Sequence, residues 1–286
     1  MEIYRIYYNP YGGNGTCEKN AHQVGALLKG STVTYHDITR ETDLLETFSA
    51  IPKEEKIVLV GGDGTLNRFI NAVPVDDLPF DIYYSGAGSG NDFLKDLGRK
   101  GLEKPILLNP YLKNLPYVEI KGHTYRFING IGFGLDGYCC EEADRQRQKK
   151  FRIPINYTAI ALKGLAFAYK PVCAKVTVDS EPHSFSRVWM APSMFGRYFG
   201  GGMLPTPNQL RQNPENTLTT VVMFGASKLN ALVNFPRMFS GTLEEFQGHS
   251  FFRKARDITV TFDRPCAVQI DGETIVDVLS YHAYTK

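Results

Sequence analysis

The sequence predicts an α/β domain followed by a β-rich domain, on three observations. Short apolar strand patterns alternate with helical patterns from residue 1 to about residue 100. Within that span a strand, a glycine loop and a helix follow one another three times. From Leu115 onward the pattern changes to strands at hairpin spacing. Short apolar strands alternating with helices imply a parallel sheet covered on both faces, which makes three layers. Many strands at hairpin spacing point to an antiparallel sheet or sandwich.

The elements follow in order. Ile3 to Tyr8 is a β-rich run that ends at Asn9-Pro10. Glu18 to Lys29 places Ala21, Val24 and Leu28 at helical spacing and stops at Gly30. Thr32 to Ile38 reads as a second strand, and Asp43 to Ala50 as a short helix ended by Ile51-Pro52. Lys56 to Val60 is a nearly continuous apolar strand that runs into Gly61-Gly62-Asp63-Gly64-Thr65, with a helix expected from Leu66 to Val73. Asp81 to Tyr84 is the next strand, followed by another glycine loop and a helix from Asp92 to Leu97. Further strands are expected at 117–120, 125–131, 174–178, 185–191, 217–224, 258–262 and 267–270. Helical patterns interrupt them at 136–150, 156–169 and 228–239. The domain boundary is expected near 110–120. The α/β domain then spans 1–115, completed by a returning strand in 276–286, and the β-rich domain spans 116–275.

Composition narrows the class. The 286 residues are 43% hydrophobic and 22% charged, which excludes disorder as the main state. A net charge of +2 holds no basic surplus, so nucleic acid is not an expected partner. The longest stretch without Lys, Arg, Asp or Glu, Tyr198 to Leu210, contains glycines and prolines. It falls well short of the roughly 20 apolar residues of a membrane helix. The start of the chain reads directly as a strand, without a secretory pattern. Five cysteines without CxxC spacing read as reduced thiols, and the expected location is cytoplasmic. Cys17, beside a glycine loop, is a candidate reactive thiol, although a small apolar packing residue is the commoner role. Of 27 glycines, 16 fall in clusters at 12–15, 61–64, 86–90, 130–137 and 200–202. Clustered glycines mark places where backbone approaches a ligand or makes a forced turn, and ordinary loops are the plain alternative.

The strongest motif is Val60 to Asn67, which lies between a strand and a helix. Glycines let backbone N–H groups point inward at a phosphate, and a helix N-terminus adds positive potential. Asp63 in that loop would repel bare phosphate, but it suits a phosphate-bound Mg²⁺, which takes one or two carboxylates and several waters. A tight turn with Asp63 as a cap is the weaker reading. Gly86 to Phe93 repeats the setting: Ser89 can donate to a phosphate oxygen and Asp92 can join Asp63 around the metal. Both loops would lie at the carboxyl ends of parallel strands, where open α/β sheets bind ligands. Asn9 to Thr16 fits a third wall, and is neither a Walker A loop nor a dinucleotide fingerprint. In Gln269-Ile270-Asp271-Gly272-Glu273, the two carboxylates alternate along an extended segment and would face the same way, either one able to accept a proton from a substrate hydroxyl. An Asp-Gly hairpin turn accounts for that segment equally well. Gly196 to Met203 and Phe127 to Gly134 are glycine-broken apolar segments that fit a substrate loop or close backbone approach.

Together these motifs resemble the bacterial diacylglycerol-kinase catalytic family, which includes sphingosine- and ceramide-kinase-like proteins. The resemblance rests on Asn9-Pro10 with Gly13, Gly61–Thr65, Gly88–Phe93, Phe127 with Asn129-Gly130, Gly196–Met203 and Asp271-Gly272-Glu273, in order across essentially the whole chain. The Gly61–Thr65 motif alone is shared with NAD kinases and phosphofructokinases; Gly88–Phe93 and the Asp271–Glu273 end separate them. Two departures stand out. Ser89 replaces the family's usual Thr and keeps the hydroxyl. The family's Asp-Gly turn, whose Asp helps bind a structural Mg²⁺, is nearest matched by Glu215-Asn216.

The resemblance implies a Rossmann-like nucleotide-binding α/β domain, a β-sandwich-like lipid-binding domain, and ATP and Mg²⁺ as cofactors. Motif matching makes Asn9, Pro10, Gly12, Gly13, Thr39, Gly61, Gly62, Asp63, Gly64, Thr65, Asn67, Arg68, Ser89 and Asn91 nucleotide contacts. Asp63, Asp92 and Asp271 would form an acidic network around Mg²⁺ and water, with Glu215 at the second metal position. Glu273 falls where the family's proton acceptor is usually assigned, and spacing leaves the choice between Asp271 and Glu273 open. The expected reaction is phosphorylation of a hydroxyl on a diacylglycerol-like lipid. A kinase of a soluble hydroxyl compound, or a nucleotide- or lipid-binding homologue without catalysis, are the competing readings. Expected partners are the lipid substrate, a transient membrane surface at the inner face and a second copy in a homodimer. Arg145 to Arg152 is the candidate for anionic headgroup contact, against the commoner solvated helix face.

Overall fold

The structure, a computed structural model, describes residues 1–88, 90–148 and 155–286, with Asn14 by its backbone alone. These residues divide into two units, Met1–Asn114 and Leu115–Lys286. In the first unit β1 (Ile3–Tyr8), α1 (Cys17–Ala26), β2 (Thr32–Asp37), α2 (Leu44–Ser49), β3 (Glu55–Gly61), α3 (Asp63–Ala72), β4 (Ile82–Gly86), α4 (Asp92–Asp96) and β5 (Ile106–Leu107) follow one another. The sheet order is β2-β1-β3-β4-β5, with β1 to β4 parallel and β5 antiparallel to β4. The chain steps from β1 to β2 in one direction and from β3 to β4 in the other. Right-handed crossovers then place α1 and α3 on opposite faces.

Strand alternation supplies a core for each face. Tyr4, Ile6, Val58 and Val60 pack with Cys17, Ala21, Val24 and Leu28 around α1. On the other face the Tyr7 ring lies 4.7 Å from Phe48 of α2, and Phe48 lies 6.1 Å from Phe69 of α3. α3 begins three residues before the expected Leu66, at Asp63, with Gly62 as its N-cap. Gly64 lowers helix propensity enough to hide this start in the sequence. Asp63 in the first turn suits the helix dipole.

The second unit holds β6 (Tyr117–Ile120), β7 (His123–Arg126), β8 (Gly130–Phe133), α5 (Leu135–Arg147) and α6 (Tyr157–Lys163). A π-turn at Gly164–Ala168 extends α6. Then come β9 (Val172–Val178), β10 (Glu181–Val188), β11 (Ser193–Met194), β12 (Leu218–Met223), α7 (Lys228–Asn234), α8 (Arg237–Ser240), β13 (Ser250–Ala255), β14 (Asp257–Ile270) and β15 (Glu273–Tyr284). All pairings are antiparallel, in the order β13-β12-β11-β8-β14-β15-β6-β7, with β9 pairing β10 and β14. β14 changes partner along its length, from β9 at Ile258–Phe262 to β8 at Val268–Ile270, with register shifts around Cys266. A bulged strand that serves two partners is how sandwich-like sheets turn a corner. Leu135, Ile160, Leu165, Trp189, Met194, Val221 and Phe235 lie in the core beneath the helices.

The last strand corrects an expectation. Residues 276–286 do not complete the first unit: β15 returns along β14 and also pairs β6. The cause is the two-residue turn Asp271-Gly272, with φ of +48° and +94°. Positive φ at both central residues is the hairpin geometry whose twist matches the flanking strands, so the chain must fold back on β14.

Candidate active site

At the carboxyl ends of the parallel strands, three glycine-containing loops of the first unit lock together. The Ala87 amide donates to the Gly61 carbonyl at 2.8 Å. A Cβ on Gly88 would lie 2.5 Å from the Gly62 Cα, and one on Gly13 would lie 2.8 Å from the Ala87 carbonyl oxygen. Glycine is required at these positions because backbone meets backbone. Asn20 Nδ2, from α1, adds a bond to the Ala87 carbonyl at 3.2 Å. Asn9 Oδ1 accepts from the Tyr11 amide at 3.0 Å, and its carbonyl accepts from Gly12, which closes the first loop.

Asp63 is the central clamp. Its Oδ2 accepts from the Asp92 amide at 3.0 Å and its Oδ1 from the Phe93 amide at 3.1 Å. Asn91, the N-cap of α4, makes no side-chain cap bond there, so Asp63 caps α4 from the neighbouring loop. Such charge-assisted bonds contribute about 1.5–3 kcal/mol net. Asn91, at φ +50°, closes on its own loop: Oδ1 accepts from Gly88 N at 3.0 Å and Nδ2 donates to Gly88 O at 2.9 Å. Expected as a nucleotide contact, Asn91 braces its own loop through these bonds. The N-cap of α3 is Gly62, which has no side chain to cap with.

The other expected residues divide. Gly12, Gly13, Gly61, Gly62, Asp63, Gly64 and Asp92 belong to these loops and the helix starts beside them. Thr65 and Asn67 are buried in α3, with Asn71 Nδ2 donating to the Asn67 carbonyl at 2.9 Å. Thr39, in the 3-10 turn Ile38–Arg40 that follows β2, donates its amide and hydroxyl to Asp37 Oδ1 at 2.9 and 2.7 Å. Arg68 is exposed on α3, and Ser89 lies outside the described residues. Cys17 is fully buried with its thiol held up by burial, which removes it as a reactive group.

In the second unit Asp271 is 5% exposed, and its carboxylate accepts three backbone amides. Ile128 N lies 2.7 Å from Oδ2; Asn129 N and Gly130 N lie 2.7 and 3.0 Å from Oδ1. Glu273 opens β15 half-buried. The expectation that the two carboxylates alternate along extended backbone is overturned, because positive φ at Asp271 and Gly272 makes the segment a turn. Further polar residues complete the surroundings. Arg211, buried, donates to the Ile128 carbonyl and to Asn129 Oδ1, the latter at 3.0 Å. Gln269 Oε1 accepts from Gly272 N at 2.6 Å, and its Nε2 donates to Asp136 Oδ2 at 2.8 Å. A Cβ on Gly132 would lie 1.3 Å from that Asp136 oxygen, so Gly132 makes the space for the carboxyl. Burial pushes Asp136 up to about 7, opposed by the Gln269 bond. The usable sequence signal was Gln269, a polar residue inside the apolar run Ala267-Val268-Gln269-Ile270.

Glu215 is exposed, and its carbonyl accepts from Arg256 Nε at 2.8 Å. Asn216 beside it adopts φ +48°, the conformation a Gly would take in an Asp-Gly turn. No group of three or more His, Cys, Asp or Glu placed to hold a metal occurs among the described residues. Mg²⁺ that arrives on phosphates needs only one or two carboxylates with waters. Asp63, anchored by two amides beside the glycine loops, fits that mode.

The strand order reverses between β1 and β3, and their loops flank that switch point. A doubly wound sheet with glycine loops and a helix start at its switch point is the arrangement in which α/β proteins bind phosphate-bearing ligands. Residues 4–112 match the diacylglycerol kinase catalytic domain, and residues 129–281 match the YegS C-terminal NAD kinase beta sandwich-like domain. The chain belongs to the diacylglycerol kinase catalytic-domain family, and it is a phosphotransferase with an alcohol acceptor. It is 26% identical to "Putative lipid kinase YtlR" of Bacillus subtilis over 77% of this chain and 74% of that protein. It is 23% identical to a diacylglycerol kinase of Mycobacterium tuberculosis over 82% of this chain and 77% of that one. The fold matches a solved structure titled a putative diacylglycerol kinase from Bacillus anthracis, with TM-score 0.64, 18% identity, and 100% and 94% of the two chains covered. No helix among the described residues is long and apolar enough to cross a membrane.

Proposed function

We propose that the chain transfers the terminal phosphoryl group of ATP to a hydroxyl of a diacylglycerol-like lipid. The observation that carries the nucleotide half is the Asp63 clamp, which holds two glycine loops around the start of α3 at the sheet's switch point. Amides of the first turn of α3 and of the loops receive phosphate oxygens. Phosphoryl transfer needs mainly positioning and electrostatic stabilisation, which fixed backbone donors supply without reorganisation. When bound, Mg²⁺ would be held by Asp63 and Asp92 through its waters and would neutralise charge on the phosphates.

Of the two carboxylates after β14, Glu273 is the one assigned to take the acceptor hydroxyl's proton. Asp271 is committed to three amides and holds the 128–130 segment and the turn. A lipid acceptor is favoured by the names of the relatives, a lipid kinase and a diacylglycerol kinase. The test is transfer of labelled phosphate from ATP to diacylglycerol in detergent mixed micelles. Glu273→Gln should lower kcat by about 10²–10⁴-fold with little change in the KM for ATP. Full activity in Glu273→Gln removes the base assignment, and labelling of soluble acceptors alone removes the lipid.

A further inference from the structure

The basic run that begins at Arg145 is neutralised along its own helix where the structure describes it. Arg145 pairs with Glu141 and Glu142, and Arg147 with Asp144, while residues 149–152 lie outside the described residues. A different face of the second unit has the opposite character. α6 with its π-turn and the pair α7–α8 bury Ile160, Ala161, Leu165, Ala231, Phe235 and Met238 in one core, and α7 packs against the π-turn. Their outer faces are apolar. Phe167 is 80% exposed, Leu229 72% and Val233 67%, with Leu162 and Phe239 also exposed. Leu229 and Val233 are one helical turn apart on the same side of α7.

Within the two segments that form this face the charges are of one sign. Neither 155–170 nor 227–241 contains an Asp or Glu, yet they carry Lys163, Lys170, Lys228 and Arg237. Arg237 is paired with Glu245 at 3.1 Å, and the three lysines are exposed. Apolar tips on segments that also carry exposed lysines fit the boundary between headgroups and acyl chains, where lysine stems lie along apolar surface and their ammonium groups reach anionic headgroups. A symmetric contact between two copies through these segments would set lysine against lysine, and Glu245, an acid that contacts them, is already paired with Arg237.

We propose that the α6–π-turn–α7–α8 face docks the protein on an anionic lipid bilayer. Its purpose rests on the lipid acceptor proposed above, and its test does not. The test is co-sedimentation with phosphatidylcholine vesicles, with and without phosphatidylglycerol, for the full chain and two triple variants. One is Phe167→Ser/Leu229→Ser/Val233→Ser and the other Lys163→Gln/Lys170→Gln/Lys228→Gln. Circular dichroism and thermal unfolding should match wild type, because these side chains are exposed. Wild type should bind the anionic vesicles and lose binding as salt rises. The lysine variant should lose about fivefold in partitioning per charge, and the apolar variant at least tenfold. Unchanged partitioning in both variants overturns the proposal, as does a wild type that binds neither vesicle. A wild-type dimer that the apolar variant dissociates, with no vesicle binding, makes the face an interface between copies and also overturns it. Micelle activity separates the two ideas. Vesicle binding by a chain that phosphorylates no lipid leaves the docking face standing and removes the acceptor; lipid phosphorylation without vesicle binding does the reverse.

Discussion

Asp136→Asn should change how the protein's stability depends on pH. Asp136 is 3% exposed in the first turn of α5, and burial raises its carboxyl from 3.8 to about 7. A carboxyl raised in the fold keeps a proton that the unfolded chain has released. Stability from this group is therefore fully present below its unfolded value, falls as pH rises from there to about 7, and is level above. The span is about three pH units, and each is worth about 1.4 kcal/mol, so the loss is about 4 kcal/mol. The asparagine of the variant does not titrate, and its side-chain carbonyl can still accept the Gln269 bond. Subtracting wild type from variant cancels every other titrating group. The difference in unfolding free energy should then rise by about 4 kcal/mol between about pH 4 and about pH 8. Urea unfolding followed by the fluorescence of Trp189, the chain's one tryptophan and a member of the same core as Leu135, reads this directly. A difference that stays flat across that range would show that Asp136 is ionised in the fold and would refute the reasoning.

Two further outcomes follow from the geometry. Gly88→Ala would place a Cβ 2.5 Å from the Gly62 Cα, so the two loops must part and strain the Ala87–Gly61 bond. At about 1–3 kcal/mol for such overpacking, ATP should bind about tenfold or more weakly in a fluorescent-nucleotide displacement assay, and an unchanged Kd would rule out the cradle. Burial holds the thiols of Cys17, Cys139 and Cys140 up, whereas Cys173 is exposed. A disulfide reagent at neutral pH should show a fast phase that disappears in Cys173→Ser, and its persistence would contradict the burial pattern.

What was legible in the sequence was local. Lys56–Val60 running into Gly61-Gly62-Asp63 announces a strand, a forced turn and a helix start by residue type alone, and the parallel sheet follows from repetition of that unit. Contacts made across the fold were not legible. Pro236 does mark the break between α7 and α8, which read as one helix over 228–239. Nothing local shows that Phe127–Asn129 leaves its strand so that the amides of 128–130 can turn onto a carboxylate 141 to 143 residues away. The Asp271-Gly272 pair shows why two readings of one motif need not compete. A hairpin turn and a site carboxylate looked like alternatives because alternation along a strand assumes extended backbone. Positive φ at both residues makes the turn, and the same turn carries the Asp271 side chain onto those three amides. Gln269 holds the turn from one side through Gly272 and grips Asp136 from the other. The proton on Asp136 is thus one buried bond away from the residue that fixes the turn preceding Glu273. If Asp136→Asn flattens the pH dependence of stability while lipid phosphorylation keeps its own pH profile, that proton serves the fold alone. If both profiles move together, the relay through Gln269 also sets the position of Glu273.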